Sequence, residues 1–293
     1  MGTLWVMVEL HLPVSRAVVI SLPGSNRRPG FLAQPLSGAF DVSDAFHGAT
    51  QDWGPLFSAE RFAERYGRPP LPGQIGCAVS HAQVIRQFAV ESGEETDLLL
   101  VAEDDARFTV DFPLVLRALA SAPLPYDVVV LADGWGIHPR LHVRRMFMGM
   151  SQLSLLSRVI RGGERSYRVG RLAGQGDCTG LYLFTRRGAR LFDAFVRSLP
   201  DGKLDFVSDA WSLFRDEAGL DVAFLRPSLV TFAGVSSVRP PDVLAREAEE
   251  DAVAPPRTFR TRVSERVAVR SRLRASKLAV RATVEDLRFR RGR

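Results

Sequence analysis

Three consecutive carboxylates, Glu103, Asp104 and Asp105, directly follow the apolar run 98–102. An apolar run of this length is typical of a strand that is buried on both faces of a parallel sheet. In open α/β sheets ligands bind outside the carboxyl ends of the strands, so the three carboxylates are predicted to lie at a ligand site. Oxygen ligands at this density suit Mg²⁺ or Mn²⁺ that carries a phosphorylated substrate. A solvated acidic turn is the alternative, and the triplet alone does not decide between the two.

Two adjacent arginines, Arg27 and Arg28, follow the β-branched run 17–22 and its Pro23-Gly24 turn. A strand that delivers two guanidinium groups into the next loop is a plausible phosphate clamp, because the planar fork matches phosphate oxygens in pairs. Solvated arginines in front of a helix are the alternative interpretation.

Residues 74–91 form the clearest helical pattern in the chain, with apolar side chains at spacings of three and four. The helix carries Ser80 and His81. A histidine in this setting is more often structural than catalytic. Because the helix precedes the acidic strand directly, we nevertheless expect it to lie beside the carboxylates.

The remaining pattern alternates between strands and helices, which predicts an α/β fold with a mostly parallel sheet flanked by helices. Strands are predicted near 40–42, 98–102, 127–131, 178–184 and 220–225, and helices near 58–66, 112–120 and 187–197. Within 205–214, Ser208-Asp209 stands ahead of a further amphipathic helix.

Residues 134–177 differ from their surroundings: they contain eight glycines and show little periodicity. Long irregular stretches inside compact domains are usually functional loops, or else disordered. We therefore predict a flexible lid or acceptor-binding region within a catalytic domain that spans residues 1–254.

The chain has 293 residues, 46% of them hydrophobic, which is enough for a large core. No stretch approaches the roughly 20 apolar residues that span a bilayer, and residues 1–12 lack a basic signal-peptide region. The only cysteines, Cys77 and Cys178, lie far apart in the sequence. They favour reduced thiols in a cytoplasmic protein over a disulfide framework or a zinc site.

The net charge of +6 conceals a basic tail, because residues 257–293 hold twelve Arg and one Lys against three acids. Residues 1–256 are therefore mildly acidic, and the Pro255-Pro256 pair separates the tail, 255–293, from the body. Within the tail, apolar residues at mostly helical spacings predict an amphipathic helix on an anionic membrane surface, at the inner face of the membrane. They are Val263, Val267, Val269, Leu273, Val280, Val284 and Leu287.

Two alternatives remain open for the tail. The first is a solvated or disordered basic segment, or one that is packed on the acidic body. The second is nucleic-acid binding, which only the tail suggests. A nucleic-acid enzyme more often spreads its basic surface over the folded domain, so we expect no specific nucleic-acid partner.

Five blocks of sequence resemble glycosyltransferase family 25, the lipooligosaccharide and collagen galactosyltransferase group. Residues 73–81, Gly-Gln-Ile-Gly-Cys-Ala-Val-Ser-His, followed by the strand into residues 103–105, resemble a GEIGCALSH-like helix and an ILEDD-like strand. Four further segments follow in the order of the family. They are the opening strand with its Arg-Arg turn, an FDAVDG-like segment at 40–48, a GTHAYIISRKGA-like block at 179–189 and a PVDD-like segment at 207–209.

This resemblance implies a GT-A-like fold that binds a nucleotide-diphospho-sugar at the carboxyl edge of the sheet. It further implies an inverting, metal-dependent transferase that uses Mn²⁺ or Mg²⁺ in cell-surface glycan or lipopolysaccharide biosynthesis. The default donor is a UDP-hexose, with galactose as the sugar, and the acceptor is a saccharide or a lipid-linked saccharide.

The resemblance also implies roles for single residues. Glu103 and Asp105 would contact the metal and the ribose, helped by Asp104. On the acceptor side, Asp209 is the first candidate for general base and His81 the second, while an N-cap role is the alternative for Asp209. The other implied contacts are Arg27 and Arg28 near the nucleotide, Ser80 and His81 in the donor pocket, and Thr179 and Gly180 on the acceptor side.

Three positions depart from the family pattern. Gln74 stands in place of the usual Glu, Ser208 in place of the first Asp of the PVDD-like segment, and Leu181 where His is common. The change at Ser208 keeps open a catalytically silent relative that binds sugars or partners. A nucleotidyltransferase is a weaker alternative, because the chain lacks a Gly-rich loop that ends in a phosphate-binding Lys.

Overall fold

A nine-stranded sheet forms the centre of the molecule in a computed structural model, which describes residues 12–121, 124–133, 150–174, 176–233 and 269–291. The strands are β1 Arg16–Ser21, β2 Asp41–Asp44, β3 Leu98–Glu103, β4 Ala106–Phe108, β5 Val128–Val130, β6 Ser151–Leu153, β7 Arg158–Arg161, β8 Ser166–Gly174, β9 Leu181–Thr185, β10 Val222–Arg226 and β11 Val230–Phe232. The α-helices are α1 Arg28–Leu32, α2 Ala59–Tyr66, α3 Pro72–Val90, α4 Phe112–Ala120, α5 Arg186–Ser198, α6 Trp211–Asp216 and α7 Val269–Arg291.

The strands of the main sheet lie in the order β2-β1-β3-β9-β5-β10-β8-β6, with β7 also paired to β8. The pairings give seven of these nine strands one direction, and only β8 and β9 run against them. Strands β4 and β11 form a separate antiparallel pair. The predicted α/β class, with a mostly parallel sheet flanked by helices, is confirmed.

Strand β3 is buried on both faces, as its continuous apolar sequence predicts. Leu99 and Val101 pack with residues of α3 in one core cluster, whereas Leu98, Leu100 and Ala102 pack with α4 in a second cluster on the other face. Complete burial of an aliphatic side chain contributes about 1.5–3 kcal/mol, so the strand is anchored firmly from both sides. Its carboxyl end can therefore hold Glu103 and its neighbours in a fixed position.

Helices α2 to α5 begin and end within two residues of the predicted bounds, and α6 begins at Trp211, after Ser208-Asp209 as predicted. Helix α3 starts at Pro72, and the Gln74 side chain accepts a hydrogen bond from the Leu71 backbone N–H at 3.1 Å. Gln74, which replaces the family's usual Glu, thus retains a polar capping contact at this helix start. Helix α2 is capped by Ser58, whose hydroxyl accepts a hydrogen bond from the Arg61 N–H.

Strand β9 was predicted, but not its place in the sheet. It lies antiparallel between β3 and β5 and separates the two strands that the sequence joined through α4. Strands β3 and β5 still run in the same direction. A simple strand-helix-strand unit therefore predicts their relative direction correctly, but it wrongly makes them neighbours in the sheet. Sequence periodicity carries no information on which strand becomes the neighbour.

Part of the segment predicted to be irregular, 134–177, forms regular structure. Residues 151–174 contain β6, β7 and β8, and β8 continues the main sheet beside β10. The frequent arginines and glycines of this region conceal the strands from a search for alternating hydrophobicity. Residues 134–149 and 175 lie outside the described residues, so the lid function stays a prediction.

Helix α7, the described part of the tail, packs on β6 and β8. The Asp286 carboxylate accepts a hydrogen bond from the Ser154 hydroxyl at 2.9 Å, and the Thr283 hydroxyl accepts one from the Leu155 backbone N–H at 2.9 Å. The described helix is therefore packed on the body, as one of the alternatives stated. Residues 255–268 lie outside the described residues. Among the helices that are described, none is long and apolar enough to cross a membrane.

Candidate active site

A cleft lies at the carboxyl ends of β1 and β3, between the loop 45–49 and the first half of α3. It encloses about 870 Å³ when its open mouth is included. Five residues that the sequence proposed for donor binding line this cleft: Arg27, Ser80, His81, Glu103 and Asp104. The predicted proximity of α3 to the carboxylates is thus confirmed.

Two glycines bring the loop 45–49 close to α3. A Cβ atom on Gly48 would lie 2.1 Å from the Pro72 carbonyl oxygen, and one on Gly76 would lie 2.6 Å from the Phe46 carbonyl oxygen. The Ser80 hydroxyl then joins the two elements, because it accepts from the Phe46 N–H at 2.8 Å and donates to the Gly76 carbonyl at 2.6 Å. In this structure Ser80 shapes the wall of the cleft, and its contact with a donor stays a prediction.

Arg27 forms the basic side of the cleft. Its Nε lies 3.0 Å from Asp104 Oδ1, and its terminal nitrogen lies 3.2 Å from Asp105 Oδ2. Asp104 is 2% exposed and also accepts hydrogen bonds from the hydroxyls of Ser21 and Ser25, at 2.8 and 2.6 Å. Asp104 therefore acts as a fixed anchor that holds the guanidinium group at the edge of the cavity.

Arg28 points to different partners from those of Arg27. Its guanidinium group donates to the backbone carbonyls of Ser21 and Leu22, both at 3.0 Å, and to Asp44 at 2.7 Å. These contacts stabilise the turn between β1 and α1. The predicted contact of Arg28 with a nucleotide remains a prediction.

Asp105 carries a charge that its surroundings disfavour. Burial, and next the negative charge of Glu103, raise its pKa to about 7, although Arg27 acts in the opposite direction. Its Oδ1 atom is buried and has no hydrogen-bond partner among the described residues. Because buried polar atoms are nearly always paired, this oxygen is suited to binding a cation.

Glu103 lies between α3 and the block that begins at Thr179. Its Oε1 accepts a hydrogen bond from the Thr179 hydroxyl at 2.5 Å and lies 3.4 Å from His81 Nε2. Burial alone would raise the pKa of Glu103, but the close contact with His81, and next the Thr179 hydroxyl and Arg27, outweigh it and hold the pKa below its usual range. Glu103 therefore keeps its negative charge despite its burial.

His81 is 3% exposed, and its Nδ1 lies 2.7 Å from the Tyr182 hydroxyl. Burial would lower its pKa, but the nearby Tyr182, Cys77 and Glu103 groups raise it well above the ordinary value. This arrangement favours a positively charged His81 beside the negative Glu103. Its predicted role as the second candidate for general base remains untested.

Asp209, the first candidate for general base, lies beside the turn that leads into β9. Its Oδ2 accepts a hydrogen bond from the Cys178 backbone N–H at 3.0 Å. Cys178 has a φ of 86°, in the left-handed region that a non-glycine residue seldom adopts, so this contact stabilises a strained turn. Helix α6 has Ala210 as its N-cap and no side-chain cap, so the N-cap alternative for Asp209 is wrong.

Thr179 and Gly180, predicted on the acceptor side, are both buried. The Thr179 hydroxyl donates its hydrogen bond to Glu103. A Cβ atom on Gly180 would lie 2.2 Å from the ring of Phe232, so only glycine fits beneath this ring. Both residues shape the site in this structure, and their acceptor contacts remain predictions.

Three functional candidates were missed at the level of sequence. Cys77 Sγ lies 3.0 Å from the Ser208 hydroxyl, which places the family departure at Ser208 next to His81 and Glu103. Tyr182 contacts His81, and its position inside a strand gave no signal. Asp177 has a pKa raised to about 6, chiefly by burial and then by Asp209 and Asp133. The spacing of four between Cys77 and His81 was visible in the sequence and could have indicated a shared helix face.

The family model described as glycosyltransferase family 25 (LPS biosynthesis protein) matches residues 15–208, well over half of the chain. The match includes Arg27, the helix with His81 and the three carboxylates at the end of β3, and it ends immediately before Asp209. No curated protein matches the sequence.

Proposed function

The chain belongs to glycosyltransferase family 25, a family of lipopolysaccharide biosynthesis, and from this membership we propose an inverting hexosyltransferase. In this proposal the donor is a UDP-hexose, with galactose as the default sugar, and the acceptor is a saccharide or lipid-linked saccharide. Membership itself supports the coarser statement, a glycosyltransferase with a nucleotide-sugar donor and a saccharide acceptor.

One observation carries the proposal: Arg27 and the carboxylates Glu103 and Asp104 line the same cleft at the carboxyl edge of the sheet. A diphosphate needs positive charge nearby, which a guanidinium group supplies with two aligned donors. Ligands of open α/β sheets bind at this edge. We therefore expect the donor diphosphate to lie against Arg27, in the cleft between β3 and α3.

The acidic residues fit the divalent cation that the family resemblance implies. The buried Oδ1 of Asp105 has no hydrogen-bond partner among the described residues, and its pKa is raised first by burial and next by the charge of Glu103, a repulsion that a cation would relieve. We propose that Glu103 and Asp105 hold Mn²⁺ or Mg²⁺, both of which prefer oxygen ligands. Such an ion supplies charge neutralisation for the departing diphosphate.

Inversion requires a base that removes a proton from the acceptor hydroxyl, on the face opposite the departing diphosphate. Burial raises the pKa of Asp209 above its usual range, although the Cys178 N–H acts against the rise. A carboxylate with a raised pKa is a stronger base, and this supports Asp209 as the first candidate. His81 is the weaker candidate, because Nδ1 is engaged by Tyr182 and Nε2 faces Glu103.

The tail helix supports binding to the cytoplasmic face of an anionic membrane. Four apolar side chains of α7 are 41–57% exposed, and at 100° per residue they fall on one side of the helix. The docked residues Ala282 and Asp286 fall on the opposite side, so packing on the body does not use the stripe. Exposed basic residues, among them Arg274, Lys277 and Arg281, flank the stripe. The stripe consists of Leu273, Val280, Val284 and Leu287.

A screen of nucleotide-sugars tests the transferase. Purified protein is incubated with Mn²⁺ and a panel of donors that vary in base and sugar, and both donor hydrolysis and the thermal unfolding midpoint are measured. The correct donor should raise the midpoint, because a ligand that binds only the folded state adds stability. The rise should vanish with a chelator. Failure of every donor to stabilise the protein or to be hydrolysed would refute the proposal.

A further inference from the structure

A thiol, an imidazole and a carboxylate converge at the wall of the cleft, next to the region assigned to the donor. Cys77, His81 and Glu103 each direct one ligand atom into this cluster, and the three atoms lie within 4.8 Å of one another. Hard-metal sites consist of oxygen ligands alone, whereas a set of sulfur, nitrogen and oxygen is typical of Zn²⁺. The donor set shares Glu103 with the Glu103–Asp105 pair, but its sulfur and nitrogen atoms select a softer cation.

From this geometry we propose that Cys77, His81 and Glu103 bind a thiophilic divalent cation of the Zn²⁺ class, with an open coordination position toward the cleft. Bonds of about 2.0–2.3 Å in a tetrahedral site require ligand separations of about 3.3–3.8 Å. The cluster needs to contract by about 1 Å to reach them. All three residues line the cleft, so the fourth position is accessible to water or to an anionic ligand.

An unpartnered atom at the centre of the cluster supports the proposal. His81 is 3% exposed, and its Nε2 has no hydrogen-bond partner among the described residues. Burial of a polar atom without a partner is costly, so an atom in this state is rare in native proteins. The contact with Glu103 at 3.4 Å is an ion pair only if His81 is protonated. A bound cation would satisfy the same nitrogen in its neutral form.

Each proposed ligand also has a hydroxyl group beside it. In metal sites, hydrogen-bond partners of this kind orient the ligands, and their loss typically weakens metal binding 10- to 100-fold. The contacts are Ser208 Oγ to Cys77 Sγ at 3.0 Å, the Tyr182 hydroxyl to His81 Nδ1 at 2.7 Å and Thr179 Oγ1 to Glu103 Oε1 at 2.5 Å.

Helix α3 provides the rigid part of the site. Cys77 and His81 are four residues apart, so their side chains lie on the same face, one turn apart. The two lone cysteines of the sequence favoured reduced thiols over a zinc site because they lie far apart, whereas this cluster uses only one cysteine together with a histidine. When the metal–sulfur bond forms, the Cys77 thiol proton leaves to solvent. Binding should therefore tighten as the pH rises.

Cobalt provides a direct probe of the site, because a Co²⁺–thiolate bond produces a charge-transfer absorption that oxygen and nitrogen ligands do not. Unaltered full-length protein titrated with Co²⁺ should show this absorption at one equivalent, and Zn²⁺ should abolish it. Cys77→Ser should remove the absorption, and Cys178→Ser, which changes the only other thiol, should retain it. Absence of the absorption in the unaltered protein, or its persistence in Cys77→Ser, would overturn the site.

Two further measurements keep the test valid if Cys77→Ser does not fold. In the unaltered protein, Zn²⁺ should slow alkylation of Cys77 by iodoacetamide at least tenfold, followed by mass spectrometry of the peptide that contains it. Tyr182→Phe should weaken Co²⁺ binding about 10- to 100-fold. Unchanged alkylation, or unchanged Co²⁺ affinity, contradicts the proposal. All readouts use protein and metal alone, so they stand whether or not sugar transfer is found.

Discussion

Two of the arginine–carboxylate clusters among the described residues differ in what covers them. At the cleft, Arg27 bridges Asp104 and Asp105 while its own side chain remains 27% exposed to the cavity. Beneath the tail, Arg171 is 12% exposed and lies near Asp221 and Asp286. The ring of Phe289 covers its guanidinium group, with 3.6 Å between the central carbon and the ring centre. The same pair of residue types is therefore open in one region and closed in the other.

This difference in exposure indicates that the open cluster serves ligand binding and the closed cluster serves packing. In the closed cluster the charged groups have lost water and contact other protein groups instead, and these contacts hold α7 on the sheet. The open cluster keeps charge at a cavity, where burial, and next Glu103, raise the pKa of Asp105 to about 7. Strong pKa shifts gather at functional sites, where the surroundings are arranged for a ligand. We therefore expect substitutions in the first cluster to change activity and those in the second to change stability.

The largest effect is expected for Asp105→Asn, which should reduce hexose transfer at least 100-fold, because an amide holds a divalent cation less well than a carboxylate. The fold should be retained, since the substitution removes a charge that burial already disfavours. Turnover with Mn²⁺ and urea unfolding measure the two properties. The matched control is Asp41→Asn, at an exposed carboxylate on β2 that lies away from Arg28. Full activity of Asp105→Asn, or of the unaltered protein in chelator, would disprove the metal mechanism.

The comparison of the two arginines predicts the next largest effect. Arg27→Ala should lower kcat/KM for the donor about 10- to 100-fold, since a hydrogen bond to a charged group contributes about 1.5–3 kcal/mol. Arg171→Ala should leave kcat/KM within a factor of about two. It should instead speed amide hydrogen exchange across residues 269–291, because its contacts with Asp286 and Phe289 are lost. Equal effects of both substitutions on kcat/KM would remove the distinction between the clusters.

Much of the fold could be predicted because its core elements carry strong local signals. The run 98–102 is buried on both faces, and the spacings of 74–91 produce α3. The strands near the edge of the sheet were not predicted. In β8 the alternation of apolar and polar residues is interrupted by glycines and by arginines such as Arg171, whose long side chain both packs against apolar groups and forms ion pairs. Which strand lies between β3 and β5 depends on long-range pairing that no local pattern records.

The candidate site was predictable only in part for the same reason. Residues 103–105 could be placed at the edge of the sheet, because a strand end has a definite location in an α/β fold. The different directions of Arg27 and Arg28 could not be predicted, since adjacent residues in a turn share a sequence signal but not an orientation. The approach of Cys77 to Ser208 joins segments 131 positions apart, which no spacing rule connects.

A smaller effect is expected on the other face of the closed cluster, where α7 exposes its apolar stripe. Full-length protein should sediment with anionic vesicles but not neutral ones, salt should weaken the binding, and deletion of residues 257–293 should abolish it. Val284→Ser should weaken partitioning about tenfold, because insertion of this side chain contributes about 1.5 kcal/mol. Val110→Ser, at a valine that is 72% exposed on the body, is the matched control. Equal binding by the truncated protein would refute the membrane proposal.

The smallest effect concerns Asp177, beside the strained turn at Cys178, and it tests whether carboxylates near the cleft lower the stability of the protein. Burial, and next Asp209 and Asp133, raise its pKa from 3.8 to about 6. A carboxyl group with a raised folded-state pKa binds more protons in the native state, so stability falls as the pH rises from about 4 to about 6. Above pH 6 the ionised carboxylate lowers the free energy of unfolding by its full amount, on the order of 1 kcal/mol after allowance for partial exposure.

Asp177→Asn should therefore be more stable than the unaltered protein at pH 8, and this difference should disappear near pH 4. Urea unfolding at both pH values measures it, with exposed Asp201→Asn as the control. A stability difference that does not depend on pH would show that the charge of Asp177 carries no such cost.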